Sequence, residues 1–119
     1  MADIVLTHKT CTPCRGGVPP LTVGEIASYL PQAPGWEPSA DRTRIDAAFR
    51  FKNFRQTLEF VKDVGELAEA EFHHPLEIDF GWGFCRIALQ TKKIKGLHEN
   101  DFIMAAKINE IAASHHKSG

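Results

Sequence analysis

Glu69-Ala70-Glu71-Phe72-His73-His74-Pro75 organises the reading of this chain, because a long helical pattern ends in it and two imidazoles stand there beside two carboxylates. Upstream, Asn53 is a good helix cap. Phe54, Leu58, Val61, Gly65, Ala68 and Phe72 then recur at alternating steps of four and three, which draws one apolar stripe on a helix. Pro75 disfavours helical geometry at His74, so the spacing predicts a helix that opens at Asn53 and is closed by Pro75. Neighbouring residues on a helix point about 100° apart. The extended bias at His74 lets the two rings leave the helix end in different directions and reach a common cleft.

Working outward, Glu77 to Leu89 alternates around Gly81 and Gly83, with Phe84, Arg86 and Ala88 on one face and Cys85, Ile87 and Leu89 on the other. This reads as two short strands joined at the glycines, or as one bent strand with a bulge. Before the long helix, Ile45, Ala47, Phe49 and Phe51 share a face at period two, as in a half-buried strand. Thr22 caps a short helix through Ile26, Ala27 and Leu30, ended by Pro31, Pro34 and Gly35. After the strands, Phe102, Ile103, Ala106, Ile108, Ile111 and Ala112 form a broad helical stripe between Glu99 and Ser114. Consecutive strands without βαβ spacing predict an α+β fold, an antiparallel sheet covered by helices on one face. Residues 1–21, with Gly16-Gly17-Val18-Pro19-Pro20, read as an irregular lead-in, and 22–119 as a single domain.

With 119 residues, 43% hydrophobic, 24% charged and a net charge of -1, the composition is that of one small soluble domain. Burial is only moderate at this size, so a homo-oligomer, a dimer or tetramer, is expected. No basic stripe interleaved with aromatics calls for nucleic acid as a partner. No apolar run approaches the roughly 20 residues of a membrane span, and no charged start leads into an apolar segment. A cytoplasmic location is expected, with the three cysteines as reduced thiols.

An imidazole titrates near pH 6.5 and so exchanges protons at neutral pH. Glu69, one turn before His73, shares its helix face and could orient its ring. The plain alternative is a surface histidine beside a helix-ending proline. Lesser signals carry less. Cys11-Thr12-Pro13-Cys14, preceded by His8, has zinc-ligand spacing but no second ligand pair, so no metal site is expected. His115-His116 suits the negative end of the last helix.

Glu69, His73-His74-Pro75, Trp82 and Asp101 together resemble the signature of the pterin-4a-carbinolamine dehydratases. The similarity continues through Pro34-Gly35-Trp36, Phe51-Lys52-Asn53-Phe54 and Gly96-Leu97-His98-Glu99-Asn100-Asp101-Phe102, most of the chain. The resemblance implies a four-stranded antiparallel sheet with three helices packed on one face, and oligomers formed through sheet edges and helices. It implies dehydration of 4a-hydroxytetrahydrobiopterin to quinonoid dihydrobiopterin, a pterin ligand, and no metal or cofactor. His73 would be the principal acid/base group and His74 would bind or orient the substrate. Glu69 and Asp101 would hold them, and Trp82 would help wall the pocket.

Where the family pattern has a third histidine, this chain has Lys92, an ammonium with a reference pKa of about 10.4. His98 lies close in sequence, where the family usually has a small hydroxyl-bearing helix cap. Lys92 with Lys93 and Lys95 suggests a surface with a binding task, as in the dehydratase-like Rubisco assembly factors of α-carboxysomes. The expectation therefore leans to a non-catalytic assembly protein with Rubisco as candidate partner and a carboxysome association. A working dehydratase in pterin recycling is the alternative.

Overall fold

The structure is a computed structural model and describes residues 5–12 and 18–117. Thr22 opens α1 (Val23–Tyr29) with a reciprocal cap: its hydroxyl accepts from the Glu25 amide, and its own amide donates to the Glu25 carboxylate. A two-residue strand β1 (Glu37–Pro38) leads to β2 (Ile45–Arg50), then α2 (Phe54–Glu71), β3 (Glu77–Gly81), β4 (Phe84–Leu89) and α3 (Glu99–Lys117). All neighbouring strands are antiparallel, in the order β1-β2-β4-β3. This is the expected α+β sheet with three helices, and Glu77 to Leu89 resolves into two strands.

Period-two alternation decides which face is covered. Ile45, Ala47, Cys85, Ile87 and Leu89 are buried and join Phe60, Val64, Phe102, Ile103 and Ile108 from the helices in one core. The other face presents Asp46, Arg86, Glu77 and Asp79 around an open groove of about 560 Å³. The hairpin needs its glycines. A Cβ on Gly81 would stand 2.6 Å from the Phe84 ring, and Gly83 holds φ +80° with the Phe51 carbonyl 3.1 Å from where its Cβ would be.

The buried stripe of α2 differs from the expected one. Thr57, Phe60, Val64 and Ala68 face the core, whereas Phe54, Leu58 and Phe72 are exposed, Phe72 at 88%. Both rows satisfy helical spacing, and contact with the sheet selects the row containing Phe60. The buried hydroxyl of Thr57 donates to the Asn53 carbonyl and accepts from the Gly83 amide, pinning the hairpin tip to the start of α2. At its far end the helix stops before Pro75. Phe72 takes left-handed φ 55° and ψ 35°, and the amides of Phe72 and His73 both donate to the Ala68 carbonyl.

Within the expected lead-in, Leu6 is buried, a 3-10 turn spans Leu6–His8, and the Leu6 amide donates to Gln32. Through Leu6 and Cys11 this segment packs against the same core. Cys14, the other half of the Cys11 spacing, lies outside the described residues.

Candidate active site

The end of α2, the exit of β4 and the start of α3 meet at one buried carboxylate. Asp101 has no exposed surface. Its Oδ1 lies 2.8 Å from His73 Nε2, and its Oδ2 accepts from the Thr91 hydroxyl at 2.8 Å and the His98 amide at 3.0 Å. A carboxylate taking three such bonds acts as acceptor throughout, so the proton between it and His73 sits on Nε2. The lone pair of His73 is then on Nδ1, the position from which an imidazole acts as a base. His73 is itself buried.

The helix start explains why Asp101 points this way. His98 occupies the cap position: its Nδ1 accepts from the Asn100 amide at 3.0 Å, while Asp101 three residues on takes the His98 amide. Capping commits His98 Nδ1 to the backbone. Asn100 is buried as well. Its side chain holds the Thr12 backbone at two points, accepting from the amide at 3.0 Å and donating to the carbonyl at 2.7 Å.

His74 leaves in the other direction. Its Nε2 is 2.5 Å from Glu69 Oε2, with side-chain exposures of 57% and 76%. Glu69 therefore orients His74, and the expected Glu69–His73 contact is replaced by His73–Asp101. The left-handed Phe72 rotates His73 off the helical face that Glu69 occupies. Lys92 opens the 3-10 turn Lys92–Ile94, exposed and one residue beyond the Thr91 that bonds Asp101.

Trp82 is not brought to this cluster. It sits at the β3–β4 turn, 70% exposed, beside the Gly83 that bonds Thr57 near the start of α2. His73 follows the end of α2, a helix of 18 residues and about 27 Å.

Sequence reasoning also missed a second, partly buried network beside the first. Glu71 accepts from the Cys11 amide and from Lys107, both at 2.7 Å. Burial alone would raise the Glu71 carboxyl, yet the Cys11 amide and the Lys107 ammonium hold it below the ordinary range. The Cys11 thiol is pushed up to about 12, first by burial and then by the charge of Glu71. Contacts that join residues 60 and 88 positions apart leave no local spacing to read.

Known proteins place this arrangement. The family model for pterin 4 alpha carbinolamine dehydratase matches residues 19–111. A protein of Methylococcus capsulatus, assigned by name as a pterin-4-alpha-carbinolamine dehydratase, is 56% identical over 108 residues, 91% of this chain and 94% of its own. One from Cupriavidus pinatubonensis, named in the same way, is also 56% identical, over 91% and 92%. A crystal structure of a transcriptional coactivator/pterin dehydratase from Brucella melitensis superposes with a TM-score of 0.74 at 32% identity, covering 78% of this chain and 98% of that one. At the level of fold alone, a pterin dehydratase-like RuBisCO assembly factor of the α-carboxysome matches with a TM-score of 0.59 and 23% identity, over 68% and 93%. With 93 consecutive residues under the family model and a relative 56% identical over 91% of this sequence, the chain belongs to the pterin 4 alpha carbinolamine dehydratase family.

Proposed function

We propose that the protein eliminates water from a 4a-hydroxytetrahydropterin to give the quinonoid dihydropterin, with His73 as the principal proton-transfer group. The observation that carries this reading is the buried His73–Asp101–Thr91 chain, which fixes one tautomer and leaves Nδ1 as the basic position. The elimination needs one proton taken from N5 and one given to the leaving 4a hydroxyl, while the C4a–O bond breaks and water departs. No net proton is consumed. His73 takes the N5 proton. His74, its ring held by Glu69, delivers the other from the exposed side, and solvent then exchanges protons between the two rings. A positioned acid or base contributes about 10²–10⁴ in rate. Lys92, exposed and next to Thr91 in the chain, is suited to hold a substrate oxygen.

The names carried by relatives at 56% identity support the same chemistry. The test is turnover of 4a-hydroxytetrahydropterin by the purified protein beside His73→Ala. Turnover that His73→Ala removes is expected; an inert wild type would sink the reading.

The exposed Lys92 at a histidine position favours a second reading, a homo-oligomeric assembly factor for Rubisco in the cytoplasm or at the carboxysome. The fold-level likeness to an assembly factor accords with it. That reading expects an inert wild type, some activity in Lys92→His, and co-elution with Rubisco subunits.

A further inference from the structure

We propose that residues 9–12 form a clamp that holds the His73–Asp101 pair in place, with Asn100 and Glu71 as positioning residues that act on the His73 ring through Asp101 and through the end of α2. The kinetic part of the test rests on the dehydratase reading; the clamp itself does not.

The pair joins two element ends that are distant in the chain. His73 lies two residues beyond Glu71, the last residue of α2, and Asp101 is the third residue of α3. Their 2.8 Å bond spans 28 positions. A functional pair keeps its geometry only when its supports hold it to within about 0.5 Å, so the separation of the two ends has to be fixed from outside the pair.

Residues 9–12 reach both ends. On the α2 side the Cys11 amide donates to Glu71 Oε1 at 2.7 Å, and Glu71 Oε2 accepts from Lys107 of α3, also at 2.7 Å. On the α3 side Lys9 pairs with Glu99 Oε2 at 2.6 Å, and the Tyr29 hydroxyl donates to the same oxygen at 3.3 Å. Asn100 then accepts from the Thr12 amide at 3.0 Å and donates to the Thr12 carbonyl at 2.7 Å. Two consecutive residues, Cys11 and Thr12, thereby tie the residue two before His73 to the residue one before Asp101.

The chemistry of Asn100 suits this task. A carboxamide accepts with its oxygen and donates with its nitrogen, and Asn100 uses one half on each backbone group of Thr12. Its own amide donates to His98 Nδ1, and its carbonyl accepts from the Cys11 thiol at 3.7 Å. Asn100 is 1% exposed, so these groups hold the turn that aims Asp101. Thr12 is exposed, and water can take over its backbone groups when the carboxamide is removed. Losing Asn100 therefore releases the segment from the start of α3.

The test reads the His73 ring itself. Long-range proton–nitrogen correlation spectra of protein carrying nitrogen-labelled histidine show which ring nitrogen bears the proton, at about pH 8.5 where an ordinary imidazole is neutral. His73→Ala assigns the signal. The wild type should show His73 in the Nε2–H form. Asn100→Ala should show a mixture of tautomers. Its kcat for a 4a-hydroxytetrahydropterin should fall about tenfold to a hundredfold, with KM within about twofold of wild type. Glu71→Gln keeps the shape of the side chain and weakens the other arm. It should move both readouts the same way, and it decides the matter alone if Asn100→Ala does not fold. Gly83→Ala, a destabilising change at the opposite end of α2, is the control and should leave the tautomer and kcat as in wild type.

A folded Asn100→Ala or Glu71→Gln with the wild-type tautomer, or an equal change in Gly83→Ala, overturns the proposal. A shifted tautomer at unchanged kcat in an active enzyme overturns it as well. A shifted tautomer in both variants beside an inert wild type keeps the clamp and sinks the dehydratase reading instead.

Discussion

Asp101 takes three hydrogen bonds at a position without solvent, so replacing it tests the site and the fold together. In Asp101→Asn an amide NH₂ must face the Thr91 and His98 donors or the His73 N–H. Turnover should fall by about 10²–10⁴ as the His73 tautomer is lost. Unfolding free energy should drop by about 1–3 kcal/mol, measured by urea denaturation. A variant with wild-type activity would remove Asp101 from the mechanism. The two free thiols among the described residues give a pH test. Burial pushes both Cys11 and Cys85 from 9.0 up to about 12. A thiol raised on folding binds its proton more tightly in the native state, so its contribution is complete below pH 9 and is lost as pH climbs from 9 toward 12. Stability should decline across that window, less steeply in Cys85→Ala, and a thiol reagent at pH 8 should label these two sites slowly in the native protein.

Among the elements, the hairpin turn is the position where one atom has the clearest cost. Gly83→Ala places a methyl 3.1 Å from the Phe51 carbonyl at φ +80°. The change should destabilise the protein by about 1–2 kcal/mol, read from the shift in urea midpoint at unchanged slope, and it weakens the Thr57 link between hairpin and helix. Helix α2 shows how far local pattern reaches. Its existence and its Asn53 cap were legible in sequence, because the capping oxygen and the 3.6-residue period are local properties. Its inward face was not legible, since two apolar rows share the helix and only the sheet distinguishes them. Its end at Glu71 falls ahead of the closure expected from Pro75, because Phe72 closes it in a left-handed conformation that sequence rarely announces for an aromatic residue.

For the molecule as a whole, the first residues matter more than their composition implies. Leu6 is buried, and Cys11 and Thr12 are tied to Glu71 and Asn100 beside the His73–Asp101 pair. Leu6→Ala should cost about 2–5 kcal/mol in urea unfolding, and a cost under half that would mean residues 5–12 are held only locally.

Sequence by itself determined the strands at Ile45–Arg50 and Phe84–Leu89, the three helices, the antiparallel class, and the family through His73, His74, Glu69 and Asp101. These follow from periodicity, capping and a spaced signature, all of which act within a few residues or a fixed interval. Tertiary structure alone decided which acid serves which histidine, that His98 is a helix cap, that Thr91 and Asn100 belong to the network, and that Trp82 stands apart from it. Those outcomes depend on hydrogen bonds between residues distant in sequence and on burial that leaves each polar group only the partners packed around it, and neither leaves a mark at any single position in the chain.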